Sequence, residues 1–346
     1  HRAAIGVNLL AERPGGNPLP ITRFANFAPL RAAGADISLN GWRVPRVVDW
    51  NHDGLKDLLV GAGGRVWLYL NQGTATAPIF AAATPVQVAG VDIFAGDGIS
   101  PLALADMTGD GIPDLVLADV NNKLRIYRNA AAAGAVPVYE APVFVKAADG
   151  STDFILPDRR FDIGDWNGDG QPDLVTGNWD GDMRLFLNAG SAGSSRYGPS
   201  TALFNEAYNL YPRLCDLDGN GQPDLVRGIN WGDLRYWRDV RSGLAGNDYL
   251  SVADAAGAVP DLHGLTDGAA VDFADLDGDG LLDIVLGGHA GDKLYFATGV
   301  GTSVASSLAA IEAIYDAHPR DLGAALSAND NELLELARNL KPGVPI

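Results

Sequence analysis

Asp275-Leu276-Asp277-Gly278-Asp279-Gly280-Leu281-Leu282-Asp283-Ile284-Val285 is the fullest copy of a motif written five times, the others beginning at Asp49, Asp106, Asp165 and Asp216. Each copy carries oxygen-bearing side chains at positions one, three, five and nine, and glycine at position six. A hard cation such as calcium takes six to eight oxygens at about 2.3–2.6 Å, and a tight loop aims alternate side chains at one point. The expected donors are Asp49, Asn51, Asp53 and Asp57 in the first loop and Asp106, Thr108, Asp110 and Asp114 in the second. The third offers Asp165, Asn167, Asp169 and Asp173; the fourth, Asp216, Asp218, Asn220 and Asp224; the fifth, Asp275, Asp277, Asp279 and Asp283. Position seven (Leu55, Ile112, Gln171, Gln222, Leu281) varies freely, as it should where only the backbone carbonyl is a donor. Gly54, Gly111, Gly170, Gly221 and Gly280 fall where the chain turns back, a place for positive φ. Five copies in register imply about five calcium ions as cofactors.

The loops are not EF-hands. Position twelve, where an EF-hand needs a bidentate glutamate, holds Val60, Leu117, Thr176, Arg227 and Leu286. The flanks read as strands. Each loop is followed by an apolar run such as Leu58-Leu59-Val60 or Ile284-Val285-Leu286, then a turn. A second run follows, such as Val66-Trp67-Leu68-Tyr69-Leu70, Met183-Arg184-Leu185-Phe186-Leu187 or Leu234-Arg235-Tyr236-Trp237. Several runs are apolar at successive residues, so both faces of these strands are expected to be covered.

The loop starts are 57, 59, 51 and 59 residues apart, the mark of repeated supersecondary units that cannot bury their faces alone. Each period has room for four strands; in the second these are Ile99 to Ala105, Asp114 to Ala118, Lys123 to Arg128 and roughly Val138 to Val145. Repeated four-stranded antiparallel sheets with two apolar faces are blades of a β-propeller. The expected fold is all-β, a propeller of five four-stranded blades over residues 19–302, with an extended arm at 1–18. The stretch before the first loop is available to complete the last blade. From Ser303 to Ile346 the spacing changes to that of two short helices, one through Val304, Leu308, Ile311 and Tyr315, the other through Leu333, Leu336, Ala337 and Leu340.

With their sequels, such as Asp165-Trp166-Asn167-Gly168-Asp169-Gly170-Gln171-Pro172-Asp173-Leu174-Val175, the loops resemble the FG-GAP/VCBS repeat family, the calcium-loop blades seen also in integrin α-subunit propellers. The likeness covers about residues 20–300, and Val60-Gly61-Ala62-Gly63-Gly64 approximates the phrase that names the family. It implies a propeller, calcium in the blade loops and an extracellular, cell-surface or periplasmic address. It implies no activity, because such scaffolds carry adhesion modules, lectins, lyases and dehydratases alike.

The formal charge of −18 argues against nucleic acid or an anionic membrane as partner. Sixteen aspartates sit in the loops, and five divalent ions would bring the loaded chain to about −8, an ordinary value. Residues that are aliphatic or aromatic make up 47%, ample for a core, and no apolar run approaches a membrane span. Cys215 is the single cysteine and reads as a small buried apolar residue. A chain starting at His1 without methionine is what a matured or trimmed product would show. Loops of modest affinity need millimolar calcium, which points outside the cytoplasm.

Three function classes follow. The first is a non-catalytic binding or adhesion module for a glycan or an extracellular protein. Asn178-Trp179 and Asn230-Trp231 both lie in the turn between the two strands of a unit. An exposed tryptophan beside polar groups suits a sugar ring; packing between blades is the plainer role. Trp50 and Trp166, at position two of their loops, read as structural. The second class is a structural subunit docked into a larger assembly through residues 303–346, whose plainer reading is a helical cap. The third is a carbohydrate-active enzyme of lyase or dehydratase type. Against it, the five histidines show no catalytic spacing, no nucleophile elbow, zinc helix or phosphate loop is present, and the carboxylates belong to the loops.

Overall fold

The computed structural model describes residues 22–96, 101–191, 193–206, 208–217, 219–229, 234–244, 248–250, 269–288 and 293–301. Residues 24–299 form one compact unit; residues 1–23 with 300–346 form a second, nearly all of it outside the described residues. The expected arm at 1–18 and the two expected C-terminal helices therefore lie outside the described residues.

Five four-stranded antiparallel sheets make the fold. Their innermost strands are Val44–Val48, Leu102–Ala105, Arg160–Gly164, Tyr211–Cys215 and Ala270–Ala274. Each packs against the next, and the last packs against the first, which closes a five-bladed ring. The closing device is the one the sequence suggested: Thr22–Pro29 is the fourth strand of the fifth blade, beside Tyr295–Gly301.

Burial peaks at the second strand of each blade. The second strands, Asp57–Ala62, Asp114–Ala118, Asp173–Gly177, Asp224–Gly228 and Asp283–Gly287, are buried at every residue. That is why they do not alternate: the cores lie between blades, so both faces of each sheet are covered. Leu59 and Val66 of blade one share a cluster with Leu102 and Leu117 of blade two, and Val175 of blade three shares one with Leu225 of blade four. The outer strands of blades one and two are short and lie at the surface. In blade two the expected strand from Val138 to Val145 is reduced to Val143–Phe144, both exposed, with Tyr139 held in a single bridge to Asn129. Pro137 and Pro142 lack the N–H that a longer ladder needs.

Each loop joins the first strand of its blade to the second. The residue before position one pairs with position nine in every copy: Val48 with Asp57, Ala105 with Asp114, Gly164 with Asp173, Cys215 with Asp224, Ala274 with Asp283. All five loops therefore gather at one end of the ring, and the turns that hold Asn178 and Trp179 at the other.

Candidate metal centre

Within each loop the backbone is wound around two side chains. The position-one aspartate accepts the N–H of glycine six: Asp49 from Gly54 at 3.0 Å, Asp106 from Gly111 at 2.7 Å, Asp165 from Gly170 at 3.1 Å, Asp216 from Gly221 at 2.8 Å, Asp275 from Gly280 at 3.1 Å. Position five accepts from position seven, as Asp53 does from Leu55 and Asp279 from Leu281, both at 2.8 Å. The bonds from position seven to position five are Asx turns, the local bonds that short carboxylates and amides make. Glycine six has φ between 79° and 87° in all five copies, and a Cβ there would touch nothing within 4 Å. Glycine is required by the dihedral alone.

Position nine does more than the spacing foretold. Asp57, Asp114, Asp173, Asp224 and Asp283 are fully buried, and each clamps two distant segments. One oxygen takes the N–H of position two, from Trp50, Met107, Trp166, Leu217 and Leu276 at 2.8–3.0 Å. The other takes an N–H just past the third strand, from Asn71, Asn129, Asn188 and Asp239, or within it, from Gly299, at 2.7–2.9 Å. The clamp leaves lone pairs for a cation, since a carboxylate has about four acceptor sites.

The donors are all oxygens, the chemistry of a hard cation. One observation fits such an ion: Asp275, Asp277 and Asp283 bring carboxylate oxygens within 4.8 Å of one another. The electrostatics agree. Burial first, with the Asp277 and Asp279 charges behind it, pushes the Asp283 carboxyl up to about 6. Burial likewise raises Asp57, Asp114, Asp173 and Asp277, the last helped by Asp279 and Asp275. A cation would reverse these shifts. Among the remaining predicted donors, Asp218 lies outside the described residues, while Asn51 and Asn167 turn their amide nitrogens to Asp53 and Asp169, each at 2.9 Å. Loop three has an additional guest: Arg241, from beyond the third strand of blade four, donates to both Oδ2 and the backbone oxygen of Asp165 at 3.2 Å.

Of the predicted recognition residues, Trp179 is 46% exposed, whereas Asn178 spends its side-chain oxygen on the Asp182 N–H, 2.8 Å away, to shape the turn. Asn230 and Trp231 lie outside the described residues. Beneath Trp179 sits Arg160, whose guanidinium carbon is 5.7 Å from its ring centroid, 5.4 Å from that of Trp42 and 5.1 Å from that of Tyr211. Trp50 and Trp166 are buried, as read from the sequence.

Sequence reasoning missed the hub. Three residues before position one, successive inner strands carry Arg46, Ala103, Asp162, Arg213 and Asp272. Arg46 donates to Asp162 at 3.0 Å, and Arg213 donates to Asp162 at 2.9 Å and to Asp272 at 2.6 Å. Each acid also accepts an N–H from a neighbouring blade, Asp162 from Leu214 at 2.7 Å and Asp272 from Val47 at 2.6 Å. Burial opposes the charge on Asp162, yet Arg46 and Arg213 hold it below the usual carboxylate range. The signal was there, a charged residue at a fixed offset inside otherwise apolar strands.

Residues 49–117 and 165–227 match the FG-GAP-like repeat. Cartilage acidic protein 1 of Xenopus tropicalis is 30% identical over 152 residues, 42% of this chain and 23% of that protein. Integrin alpha-7 of Homo sapiens is 35% identical over 200 residues, 53% of this chain and 11% of that protein. The chain thus spans less than a quarter of the length of either relative. Similar solved structures include an Agrocybe aegerita lectin that recognises non-reducing terminal N-acetylglucosamine, at TM-score 0.40 and 19% identity over 76% of this chain and 69% of that one. Another is BBS1N in complex with ARL6DN, at TM-score 0.38 and 10% identity over 82% and 98%.

Proposed function

We propose that this chain, which carries FG-GAP-like repeats on a five-bladed ring, is a calcium-stabilised, non-catalytic binding module for a glycan or a protein, working outside the cytoplasm. The observation that carries the reading is the recurrence of one oxygen-lined loop in every blade, with three carboxylates of loop five within 4.8 Å of one another.

Calcium, when bound, would supply the positive charge these clustered carboxylates lack. The chain's own residues do the rest. Position one and position five hold the turn, and position nine ties it to the third strand of its blade. Binding that selects the folded state adds about 2.7 kcal/mol per site at a hundredfold excess over Kd. Five independent sites would then supply on the order of 13 kcal/mol, comparable with the 5–15 kcal/mol of a typical whole domain. Extracellular calcium modules work at Kd values of roughly 10⁻⁴–10⁻³ M, which suits a setting where calcium is millimolar. At the end of the ring away from the loops, the exposed indole of Trp179 supports recognition of a flat apolar face.

Calorimetric melting in 2 mM calcium against excess chelator, a choice of about the concentration such modules meet, tests the reading. A fall in Tm of well over 10 °C supports it. An unchanged Tm refutes it.

A further inference from the structure

Positions five and six of every loop hold one type of dipeptide: Asp53-Gly54, Asp110-Gly111, Asp169-Gly170, Asn220-Gly221 and Asp279-Gly280. Position five must offer an oxygen and position six must take a left-handed φ, so the geometry of the turn selects the pair. Loop four alone has an amide at position five in place of the carboxylate. That difference has a chemical consequence. The nitrogen that follows an asparagine can attack the side-chain carbonyl, and glycine favours the attack because no Cβ hinders the approach. The reactants sit on adjacent residues, so the step is intramolecular. Its product at position five is an aspartate, the residue that the other four loops already carry.

The surroundings of Asn220 and Gly221 favour this reaction. Both residues are exposed, so water reaches them. The Gly221 N–H, which must give up its proton, points at the Oδ2 of Asp216, 2.8 Å away. Asn220 Oδ1, which gathers negative charge as the nitrogen adds, accepts the Gln222 N–H at 2.7 Å, the place of an oxyanion donor. Asn220 Nδ2, the departing nitrogen, donates to Asp239 Oδ1 at 2.7 Å. Attack requires the peptide between the two residues to swing, and there is room for it: a Cβ on Gly221 would meet nothing within 4 Å. The chain has two other Asn-Gly pairs. Asn167-Gly168 lies in loop three, where the Arg241 guanidinium packs 3.0 Å from where a Cβ of Gly168 would be and restrains the swing. Asn40-Gly41 lies outside the loops and alters no donor.

We propose that Asn220-Gly221 is a self-modifying site of the metal-free chain, whose aspartate product completes loop four. The Gly221 nitrogen forms a bond to Asn220 Cγ, and its proton ends on the departing nitrogen. The Cγ–Nδ2 bond breaks, ammonia leaves, and a five-membered succinimide remains. One water then opens the ring. Opening at Cγ restores the backbone and leaves aspartate at position five. Opening at the main-chain carbonyl leaves isoaspartate, whose extra backbone methylene spoils the donor spacing. One water enters and one ammonia departs, with no oxidant, reductant or co-reactant. Residues that grip an ion cannot make the swing, so loading halts the reaction. For that last point alone the inference rests on the calcium reading.

The test incubates the full chain, metal-free and in excess calcium, at mildly alkaline pH and at a temperature where circular dichroism shows the ring folded in both. A free peptide of residues 216–224 in the same buffer serves as the clock. Mass-spectrometric peptide mapping, with fragmentation that separates aspartate from isoaspartate, reads position 220. Conversion to both products is expected in the metal-free chain, slowed about fivefold or more by calcium, since only empty loops react. Asn220→Asp, made directly, should lower the calcium midpoint read from the Gly221 amide about threefold or more, because affinity follows the number of ligand charges. An Asn220 left intact in the metal-free chain after the peptide has converted overturns the proposal. So does a rate indifferent to calcium, or an unmoved midpoint in Asn220→Asp. Tm is followed in the same samples. Calcium that raises Tm without slowing the conversion sinks this inference alone, and calcium that moves neither sinks the broader reading as well.

Discussion

Arg213 and Asp272 meet at 2.6 Å, Nε to Oδ1, on adjacent inner strands at the centre of the ring. Both belong to an alternating girdle in which Asp162 is the shared acceptor of Arg46 and Arg213. A ring of five seats cannot alternate charge all the way round. One seat must be neutral, and Ala103 occupies it. The girdle has no net charge and holds four of the five blades in register.

Asp162→Ala should therefore be among the most damaging single changes in the ring. It strands the guanidinium of Arg46, whose side chain is 5% exposed, and leaves Arg213 with Asp272 as its remaining carboxylate. Breaking a buried pair from one side costs about 3–5 kcal/mol. Urea denaturation in saturating calcium measures this. A loss under about 1 kcal/mol would show that the hub is held by apolar packing instead.

The pH dependence should change sign with calcium. In the metal-free chain the Asp283 carboxyl titrates near 6 against an ordinary 3.8, because burial and the neighbouring Asp277 and Asp279 disfavour its charge. The folded state then binds the proton more tightly than the unfolded one. Its stabilising contribution is complete below about pH 4 and is lost as pH rises through 6, a swing on the order of 2–3 kcal/mol. Metal-free Tm should rise as pH falls from 7 to 5. With calcium the donor must be ionised, so affinity at loop five should weaken below pH 6 and Tm should fall over the same range. Parallel curves with and without calcium would contradict this account.

The turn of each loop was legible because it is local: within nine consecutive residues lie the position-one aspartate and the glycine whose N–H it accepts. Ring closure was legible too, since the stretch ahead of Asp49 had no blade of its own. What the chain hid was relational. Position nine reads as a donor, but its grip on Asn71 or Gly299 depends on a third strand more than a dozen residues away. The charges of Arg46 and Asp162 are 116 residues apart, and only the ring brings them together. Trp179 reads either as a sugar platform or as packing between blades, and the sequence does not show that it lies over Arg160, a guanidinium that Trp42 and Tyr211 also flank.

Blade spacing rests on a glycine that the dihedrals do not require. Gly228 ends the second strand of blade four, and a Cβ there would collide with the carbonyl oxygen of Ala269 at the start of blade five's inner strand. Gly177 meets Leu210 and Gly287 meets Arg43 in the same way. Gly228→Ala must push two backbones apart, and overpacking of this kind costs about 1–3 kcal/mol. By contrast, Gly111→Ala meets no atom and should cost only the left-handed dihedral, about 1–2 kcal/mol. The two differ in kind. The first should disturb amide shifts across the blade four–blade five boundary, the second only loop two.

Loop three should be a weaker cation site than its donors suggest, because Arg241 already pairs with Asp165 at 3.2 Å. The guanidinium reaches the position-one carboxylate from the neighbouring blade and lies against Gly168, so it places positive charge at the loop's mouth. Arg241→Gln removes that charge. The pair is partly exposed, with side chains 29% and 33% accessible, so its contribution falls in the surface range of about 0.2–1 kcal/mol, or up to roughly fivefold in affinity. Terbium can report the loop selectively. Tryptophan stands at position two only in loops one and three, as Trp50 and Trp166, so a Trp50→Phe background leaves Trp166 to sensitise the ion in loop three. In that background Arg241→Gln should shift the terbium midpoint two- to fivefold lower. An unmoved midpoint would mean that the arginine yields its place without resistance and that the five loops load as equals.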